Sequence, residues 1–398
     1  MSEAIVPVKL NVTKVSINFV LPKTICYFCN MKVYYYHTTD IQTILNGWRK
    51  GTYPGHFLYG ATHLEAKGIG VVWHKFHFFP HRWQQSLYVA WQVLTCREHF
   101  DAIYATTFRG LEIIVFLRAL GLYRKPICVW HHQPVVTAKS GMRECVARLF
   151  YRGLDELFFF SQKIIDDSLQ SKKARRAHMH IARWGADLDY YDQLLRSSAQ
   201  ASTAPFQSLL PEIQPHRHGF ISTGKEMRDM PTLVSAFRTT EAPLDIYICH
   251  AYGGTDYEKL FNELGTDKNT HVHFIEGLAH QAMSLKVNAA ACVVICCKET
   301  NYTVGLTTVV EALALGIPLI CSRNPQMPVD IDREKCGITV DYYDTEGWIN
   351  AIRYMVEHPE EAAQMGQRGR AFAEKELNLA NCAEDVAQVL SHVCQAQS

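Results

Sequence analysis

Gly305–Glu311 is the segment whose residue types point most directly to chemistry, because it places a glycine turn, two threonines and a glutamate between an apolar run and a predicted helix. The backbone N–H groups and positive dipole end of a helix start attract anions, and the hydroxyl groups of Thr307 and Thr308 would add donors. Glu311, one turn further along, could accept hydrogen bonds from ribose hydroxyl groups. The segment therefore predicts a phosphate or nucleotide site, and the alternative is an ordinary capped helix with a glutamate in solvent.

Short β-rich runs alternate with helical stretches on both sides of this segment. In the first half the predicted strands are 32–37, 70–76, 102–106, 126–131 and 156–161, and the predicted helices are 57–67, 84–99, 111–120 and 142–151. In the second half the predicted strands are 220–223, 245–250, 271–275, 292–296 and 318–322, with helices at 231–238, 256–264 and 307–315 and two more from 345 and 360. Units of this length favour parallel sheets covered on both faces.

A polar stretch separates the two series, which predicts an α/β protein with two Rossmann-like domains. We expect an N-terminal extension at 1–30, whose role the pattern does not indicate, and a first domain at 31–196. A linker at 197–218 and a second domain at 219–398 would follow. Two such domains would face each other across a crevice lined by the carboxyl ends of their strands, where open α/β sheets bind ligands.

The composition is that of an ordinary globular chain, with 398 residues of which 48% are hydrophobic and 20% charged. It excludes disordered and fibrous proteins. The net charge is only +1, but residues 1–196 hold 25 basic and 14 acidic side chains and the remainder holds 15 and 25. A basic half attracts phosphate-rich surfaces, either nucleic acid or an anionic bilayer, whereas a chance imbalance between two solvated surfaces is the alternative.

The 13 cysteines are scattered from Cys26 to Cys394 without a regular disulfide framework, which favours a reducing compartment. Cys26 and Cys29 form a C-x-x-C pair that lacks a second pair at zinc-ribbon spacing, so we expect neither a metal nor a redox role for it. The sequence also lacks a secretory signal pattern and an uncharged apolar run of about 18 residues, so we expect no membrane span.

Three segments in order carry a family resemblance: residues 181–191 (IARWGADLDYY), residues 222–237 (beginning STGKEMRD) and residues 305–320 (GLTTVVEALALGIPLI). Together they resemble glycosyltransferase family 4, whose members have the GT-B fold of two facing Rossmann-like domains. The resemblance extends from residue 31 to the end of the sequence. It implies a GT-B protein whose second domain binds a nucleotide sugar.

The resemblance also implies which residues act on the donor. Lys225 and Arg228, next to Gly224, fall where the family places the cations that hold the nucleotide diphosphate. A forked guanidinium and a compact ammonium would both offset leaving-group charge, so no metal would be required. The alternative is an exposed basic loop. The donor-binding residues implied in this way are Gly224, Lys225, Arg228, Thr303, Gly305, Leu306, Thr307, Thr308 and Glu311.

On the acceptor side, His132 matches the histidine that contacts the donor sugar in the family, within the run Val129–Pro134. An imidazole there could donate or accept a hydrogen bond near working pH, whereas a packed loop histidine is the alternative. Pro54, Gly55 and His56 lie where the family has a glycine-rich acceptor loop, and Gly55 would allow close approach of the backbone. The resemblance thus predicts His132, Lys225, Arg228 and Glu311 as the catalytic set.

One position departs from the family pattern of two glutamates separated by seven residues. Counting back from Glu311 puts Thr303 at the first position, so that carboxylate is absent. Glu299, four residues earlier, could substitute for it. The departure puts the contact to the donor sugar and the identity of that sugar in question.

Two metal sites are alternatives. Asp187 and Asp189 could be the metal-binding Asp-x-Asp of the other large glycosyltransferase fold, but their position at a helix start between two Rossmann-like halves favours a capping role. His74, His77 and His81 could bind zinc, but Pro80 would break the helix that aligns them. We therefore expect no metal.

The stretch 73–91 interleaves aromatic residues with Lys75 and Arg82. Such a mixture is typical of a membrane interface, where rings lie at headgroup depth and cations meet anionic lipid. A buried helix preceded by a strand is the alternative.

The resemblance and these features imply a retaining transferase that moves a hexose, glucose or galactose, from a UDP-sugar to an acceptor hydroxyl and forms an α-glycoside. The expected acceptor is a membrane lipid (a glycerolipid or sphingolipid) or a lipid-linked glycan. The expected location is peripheral, on the inner face of the cytoplasmic membrane, with an anionic membrane surface but no nucleic acid as partner. A UDP-sugar epimerase of similar fold and a non-catalytic nucleotide-sugar-binding protein are the alternatives.

Overall fold

The computed structural model describes residues 31–201, 217–277 and 279–395. The first domain has a parallel six-stranded sheet of order β2-β1-β3-β4-β5-β6. Its strands are β1 (Met31–Tyr36), β2 (Ile69–Trp73), β3 (Ala102–Ala105), β4 (Ile127–Trp130), β5 (Glu156–Phe159) and β6 (Met179–Ile181). Its helices are α1 (Ile41–Arg49), α2 (Arg82–Leu94), α3 (Glu112–Ala119), α4 (Gly141–Arg152), α5 (Gln162–Leu169) and α6 (Leu188–Ala201).

The second domain has another parallel six-stranded sheet, of order β11-β8-β7-β12-β13-β14. These strands are β7 (Phe220–Thr223), β8 (Leu244–Ile248), β11 (Thr270–Phe274), β12 (Cys292–Ile295), β13 (Leu319–Ser322) and β14 (Gly337–Val340), and β9 (Ala251–Tyr252) pairs with β10 (Thr255–Asp256) in a separate hairpin. The helices are α7 (Met230–Thr240), α8 (Tyr257–Leu264), α9 (His280–Ala289), α10 (Leu306–Ala314), α11 (Thr345–Glu357), α12 (Pro359–Lys375) and α13 (Leu379–Gln395). The expected α/β architecture of two Rossmann-like domains is confirmed.

The central strands are short apolar runs buried on both faces, as parallel sheets covered by helices require. All four residues of β3, β4, β5, β7, β12 and β13 are buried. Side-chain caps define several helix starts: Asp40 caps α1, Ser161 caps α5 and Asp229 caps α7. Local capping and apolar patterning therefore agree on where these elements begin.

The segment between β1 and β2 differs from the prediction. The expected helix at 57–67 is instead three 3₁₀ turns, Gly55–Leu58, Ala61–His63 and Glu65–Lys67. The left-handed backbone of Tyr59 (φ 51°) and Gly60 (φ 81°) interrupts any continuous helix there. The helix that does form, α1, lies earlier and was missed by the sequence analysis.

The last helix also lies elsewhere than expected. α13 packs on the first domain, where the Ala383 backbone approaches Gly60 so closely that a Cβ on that glycine would lie 3.0 Å from Ala383 Cα. Arg183 binds Asp385 on α13 through both Nε and Nη2, at 2.9 and 2.7 Å. The C-terminal segment thus closes the first domain rather than the second. The expected linker begins as the end of α6, and the rest of it up to residue 216, like the extension 1–30, lies outside the described residues.

Candidate active site

Two glycine turns of the second domain lie against one buried guanidinium. Gly224 follows β7 with φ 90°, and Gly305 precedes α10 with φ 84°. A Cβ on Gly224 would clash with Nη2 of Arg228, and one on Gly305 would lie 3.7 Å from Arg228 Nη1. Both turns need glycine for their backbone conformation, and together with Arg228 they form a cradle, which we call the glycine cradle.

Arg228 is held firmly in the glycine cradle and is only 3% exposed. Its Nη2 and Nε donate to the carbonyl oxygen of Thr223, at 2.8 and 3.2 Å, and Nη1 donates to the carbonyl oxygen of Glu226 and to Cys297 Sγ. These bonds use most of the five guanidinium donors. Arg228 therefore fixes the turn after β7. Its positive charge lies buried beneath the two glycine turns and does not reach solvent.

Lys225 is the exposed cation of the same turn. Its ammonium lies 4.7 Å from the centre of the Tyr252 ring on β9, within the range of a cation–π interaction. The Lys225 carbonyl oxygen accepts a hydrogen bond of 2.6 Å from Tyr257 Oη, which anchors the backbone while leaving the ammonium accessible. The predicted pair of cations thus divides into a fixed member, Arg228, and an accessible member, Lys225.

The start of α10 is open as the sequence analysis expected. Its N-cap is Gly305, which has no side chain to bind the first-turn N–H groups. Thr307 is exposed, whereas Leu306 is buried and Thr308 is turned inward, with its hydroxyl 3.4 Å from that of Thr223. The hydroxyl available to a ligand is therefore that of Thr307, together with the amides of the first turn.

Glu311 lies where the two domains meet. Its Oε1 accepts a 2.6 Å hydrogen bond from Ser284 Oγ of α9, and burial raises the pKa of the carboxyl to about 7. His280, also on α9, lies within 3.5 Å of Tyr190 Oη of α6. Glu311 is therefore a buried carboxyl held by a serine, and contact with a ribose stays a prediction.

The first domain contributes a cavity of about 520 Å³ at the carboxyl ends of β1, β3 and β4. It is lined by His37, Thr38, Tyr59, Thr106, Thr107, Phe108, Arg109, Trp130, His131, His132 and Gln133, and Tyr252 of the second domain closes it. A second cavity of about 560 Å³ lies between Phe160, Ile181 and α12, and its Arg183 and Arg368 are already paired with carboxylates. We place the site at the first cavity because Tyr252 joins it to Lys225.

Two neutral imidazoles in this cavity carry opposite hydrogen-bonding roles. Nε2 of His132 donates to the carbonyl oxygen of Thr106 at 2.8 Å, which leaves Nδ1 as an acceptor. Nδ1 of His37 accepts from the backbone N–H of Thr39 at 3.0 Å, which leaves Nε2–H as a donor. Desolvation lowers the pKa of both rings, to about 4 for His37, although the His132 side chain is accessible from the crevice. The hydrogen bond to Thr106 and the carboxylate of Glu226, in the second domain, oppose this lowering of the pKa at His132.

His131 has a different role from its neighbour. It is 5% exposed, its Nδ1–H donates to the carbonyl oxygen of Gln133, and its Nε2 accepts from Tyr151 Oη at 2.7 Å. Both ring nitrogens are thus used inside the protein. His131 is a packed histidine, in line with the greater weight that the sequence analysis gave to His132.

The predicted acceptor loop is packed into the first domain. Pro54, Gly55 and His56 are all buried, the Gly55 N–H donates to Asp187 Oδ2 at 2.7 Å, and His56 Nδ1 accepts from the Asp187 N–H at 3.2 Å. A Cβ on Gly55 would lie 2.8 Å from Trp48. The close approach that Gly55 permits is therefore to the protein's own interior, which corrects the expectation that this backbone is open to an acceptor.

The same contacts explain Asp187. Its Oδ1 accepts from the N–H of Tyr190 at 3.2 Å in the first turn of α6, and Oδ2 binds Gly55. The carboxylate is used as a cap and a loop anchor, which confirms the capping role expected from its position. Among residues 31–201, 217–277 and 279–395, no group of three or more His, Cys, Asp or Glu side chains is arranged to hold a metal ion.

Thr303 and Glu299 lie on the segment between β12 and the second glycine turn. The Thr303 hydroxyl donates to the carbonyl oxygen of Gln326 at 2.9 Å, and Glu299 is exposed on its loop with its N–H bound to Tyr343 Oη. Thr303 thus tethers the loop after β13. Its role toward the donor sugar, like a substitution by Glu299, stays a prediction.

The sequence analysis did not single out three residues that complete the site: His37, Ser284 and Tyr252. His37 is the last residue of the first predicted strand, and a polar residue at a strand's carboxyl end was an available signal. Tyr252 precedes two glycines, Gly253 and Gly254, that form a hairpin turn. Ser284 carried no comparable signal, because only the packing of α9 on α10 brings it to Glu311.

Residues 215–372 match the family Glycosyl transferases group 1. Two of the three segments, 222–237 and 305–320, lie within the matched residues. The resemblance is thereby confirmed at the level of this group, whereas family 4 within it stays a prediction. The fold is GT-B, and the matched second domain is that of a group 1 glycosyltransferase.

Among curated proteins, the chain is similar to D-inositol 3-phosphate glycosyltransferase of Corynebacterium jeikeium, with 23% identity over 236 residues. The match covers 56% of this chain and 54% of that protein, so the chain spans about half the length of this relative.

Solved structures share the two-domain fold over nearly their full length. HepE of Anabaena, in complex with UDP, has a TM-score of 0.61 at 15% identity and covers 91% of this chain and 99% of its own. The same protein has been solved with UDP-glucose, with a TM-score of 0.61 at 16% identity, 91% of this chain and 100% of its own. Sucrose-phosphate synthase of Thermosynechococcus elongatus has a TM-score of 0.66 at 15% identity, covering 92% and 100%.

Proposed function

We propose that this protein transfers a hexose from a UDP-sugar to an acceptor hydroxyl and that the new glycosidic bond retains the anomeric configuration. The observation that carries the proposal is the glycine cradle, where two glycine turns and the uncapped start of α10 meet at Arg228, with Lys225 exposed beside Gly224. Such a site matches a diphosphate in charge and in hydrogen-bond donors. Structures of similar fold with bound UDP and UDP-glucose support a UDP-sugar as the donor.

In the proposed reaction the bond between the anomeric carbon and the diphosphate oxygen breaks while the acceptor oxygen attacks from the same face. Lys225 and the amides near Thr307 take up the charge that develops on the departing diphosphate, and Arg228 holds the turn that carries Lys225. The acceptor proton passes to the departing phosphate oxygen, so no covalent enzyme intermediate is needed. No divalent ion is assigned a part in this step.

His37 and His132 would orient the sugar and the acceptor. One offers an N–H donor and the other an unprotonated nitrogen, a combination that can bind two neighbouring hydroxyl groups. Because both rings have lowered pKa values, they stay neutral at pH 7 and do not attract the diphosphate to the first domain. This arrangement suits a polar, hydroxyl-rich group presented from the first domain.

We propose a lipid or lipid-linked glycan as the acceptor. The basic first half of the sequence supports a location at an anionic membrane surface, at the inner face of the cytoplasmic membrane. Within the described ranges, no helix has both the length and the apolar character needed to cross a bilayer.

The test is to incubate the purified protein with radiolabelled UDP-glucose or UDP-galactose and a lipid extract, and to separate the products. A labelled glycolipid from which α-glycosidase releases the labelled sugar supports the proposal. Interconversion of the two sugar nucleotides without transfer would instead indicate an epimerase, and binding without turnover would indicate a nucleotide-sugar sensor. Either of these outcomes overturns the transferase proposal.

A further inference from the structure

One side of the first domain exposes a stripe of large apolar side chains on α2. Trp83, Leu87, Trp91 and Leu94 are 61, 54, 58 and 57% exposed. Their spacing of four, four and three residues places them along one face of the helix. An adjacent face of α2, with Val89, Ala90 and Val93, is buried against the domain. The helix therefore has two apolar faces, and the fold buries only one of them.

The stripe continues onto neighbouring elements. α3 packs against both α2 and α4, so the three helices form one layer over the sheet. On α4, Met142 is 82% exposed and Val146 is 51% exposed, and Phe78, just before α2, is 74% exposed. We call this set of residues, Phe78, Trp83, Leu87, Trp91, Leu94, Met142 and Val146, the apolar face. Exposed large apolar side chains gathered on one layer of helices mark an interaction surface.

The charge around the apolar face indicates what covers it. Residues 73–152 contain eleven Lys and Arg side chains against four Asp and Glu. Lys75, Lys139 and Arg143 are exposed, and no salt bridge involves them within the described part of the chain. Tryptophan and leucine side chains beside unpaired cations match an anionic bilayer, where indole rings lie at headgroup depth and cations meet lipid phosphates.

The apolar face begins at the mouth of the candidate site. Gln85 in the first turn of α2 donates to Tyr36 Oη at 3.2 Å, and that hydroxyl donates to the carbonyl oxygen of Arg109 at 2.7 Å. Arg109 and Phe108 line the 520 Å³ cavity, and the Phe108 ring lies 5.4 Å from that of Phe150 on α4. A bilayer on this face would therefore lie next to the opening in front of His132.

We infer that the apolar face is the docking surface of this protein for an anionic lipid bilayer, with the side chains of α2 entering the interfacial region and the cations of α4 and the 74–81 segment binding lipid phosphates. The surface itself stands independently of the catalytic chemistry. Only the conclusion that docking presents lipid headgroups to the cavity rests on the proposed function.

The test is flotation of the full-length protein with phosphatidylcholine vesicles that contain or lack phosphatidylglycerol. We expect binding to the anionic vesicles that weakens at high salt, and at least about a tenfold loss of binding in the double variant Trp83→Ser/Trp91→Ser. The double variant Lys75→Glu/Arg143→Glu should lose several-fold on anionic vesicles only. The matched control is Tyr354→Ser/Val356→Ser on α11, two exposed apolar residues of the second domain, which should bind as the unchanged protein does.

Three outcomes would overturn the inference. The first is absence of flotation with anionic vesicles, and the second is equal binding by the α2 and α11 variants. The third is a dimer in gel filtration that the α2 substitutions dissolve, which would assign the face to a second copy. Transfer to a detergent-dispersed acceptor, measured on the same variants, separates this test from that of the proposed function, because docking variants should keep that activity.

Discussion

The two walls of the crevice use opposite means to bind polar groups. The second-domain wall is cationic. Arg228 is buried and hydrogen-bonded beneath two glycine turns, and the exposed Lys225 has its ammonium over the Tyr252 ring. The first-domain wall presents two uncharged imidazoles, His37 and His132, whose pKa values are lowered by desolvation, and one exposed cation, Arg109. The difference fits the proposed reaction, in which the anion departs at the second-domain wall and hydrogen bonds from the imidazoles of the first-domain wall orient hydroxyl groups.

Removing the accessible cation should have the largest effect on activity. Lys225→Ala is expected to lower turnover by about 10²–10³-fold, since one charge facing the departing diphosphate is lost. Its thermal stability should stay unchanged, because the side chain is exposed. Steady-state transfer from a labelled UDP-sugar and thermal unfolding measure the two effects.

Arg228→Ala and Lys286→Ala complete this experiment. Arg228→Ala should lose activity and also about 2–4 kcal/mol of stability, because buried carbonyl oxygens lose their donor. Lys286, an exposed cation of α9 that also lies over a tyrosine ring, is the matched control and should have no effect on transfer. Near-normal transfer by Lys225→Ala would contradict a catalytic role for the positive charge of the second-domain wall.

Where the walls meet, Glu311 should make stability depend on pH. Its pKa is raised from 4.5 to about 7, so the folded protein holds a proton between these values that the unfolded chain has released. Stability should therefore fall by up to about 3 kcal/mol as pH rises from about 4.5 to about 7, and then level off.

The variant Glu311→Gln should lack this component, while Ser284 still finds an oxygen to bind. We expect the stability of the variant relative to the unchanged protein to increase by about 2–3 kcal/mol between pH 5 and pH 8 in urea unfolding. Glu299→Gln, at an exposed carboxylate, should show no such change. A difference that is constant across pH would mean that the Glu311 carboxyl is not desolvated.

The two walls also differ in how far the sequence predicts them. The second-domain wall follows from local signals, because Gly224 and Gly305 punctuate strand-to-helix turns and the helix start needs only backbone to bind an anion. The first-domain wall depends on side-chain direction. Whether Gly55 faces an acceptor or Asp187 is decided by a contact across 132 residues, which no local pattern encodes.

The missed helix α1 gives the same lesson. Ile41, Ile44 and Leu45 have helical spacing after the cap Asp40, so the sequence does indicate a helix there. The helix was instead predicted at 57–67, which follows α1 in the sequence. Its left-handed residues Tyr59 and Gly60 arise from packing on α13, an element at the far end of the chain. Tertiary contacts thus decided what local propensity left open.

On the first-domain wall, His132→Ala and His131→Ala should differ in their effects, the first on activity and the second on stability. His132→Ala is expected to lower kcat about 10–100-fold with little change in stability, because the side chain is exposed and lines the cavity. His131→Ala should instead cost about 2–3 kcal/mol of stability, because Gln133 and Tyr151 lose a buried partner. Kinetics and urea unfolding of both variants provide the measurement, and equal kinetic losses would show that the wall acts through packing alone.

The smallest effect is expected at the residue that joins the walls. Tyr252 lines the first-domain cavity while its ring lies under the Lys225 ammonium, so its ring positions the cation rather than contributing charge. Tyr252→Phe keeps the ring and should leave KM for the UDP-sugar within about twofold, whereas Tyr252→Leu should raise KM about two- to fivefold with kcat nearly unchanged. If the phenylalanine variant is as impaired as the leucine variant, the Tyr252 hydroxyl group itself contacts the substrate. The second-domain wall would then bind the substrate through a neutral polar group as well as through its cations.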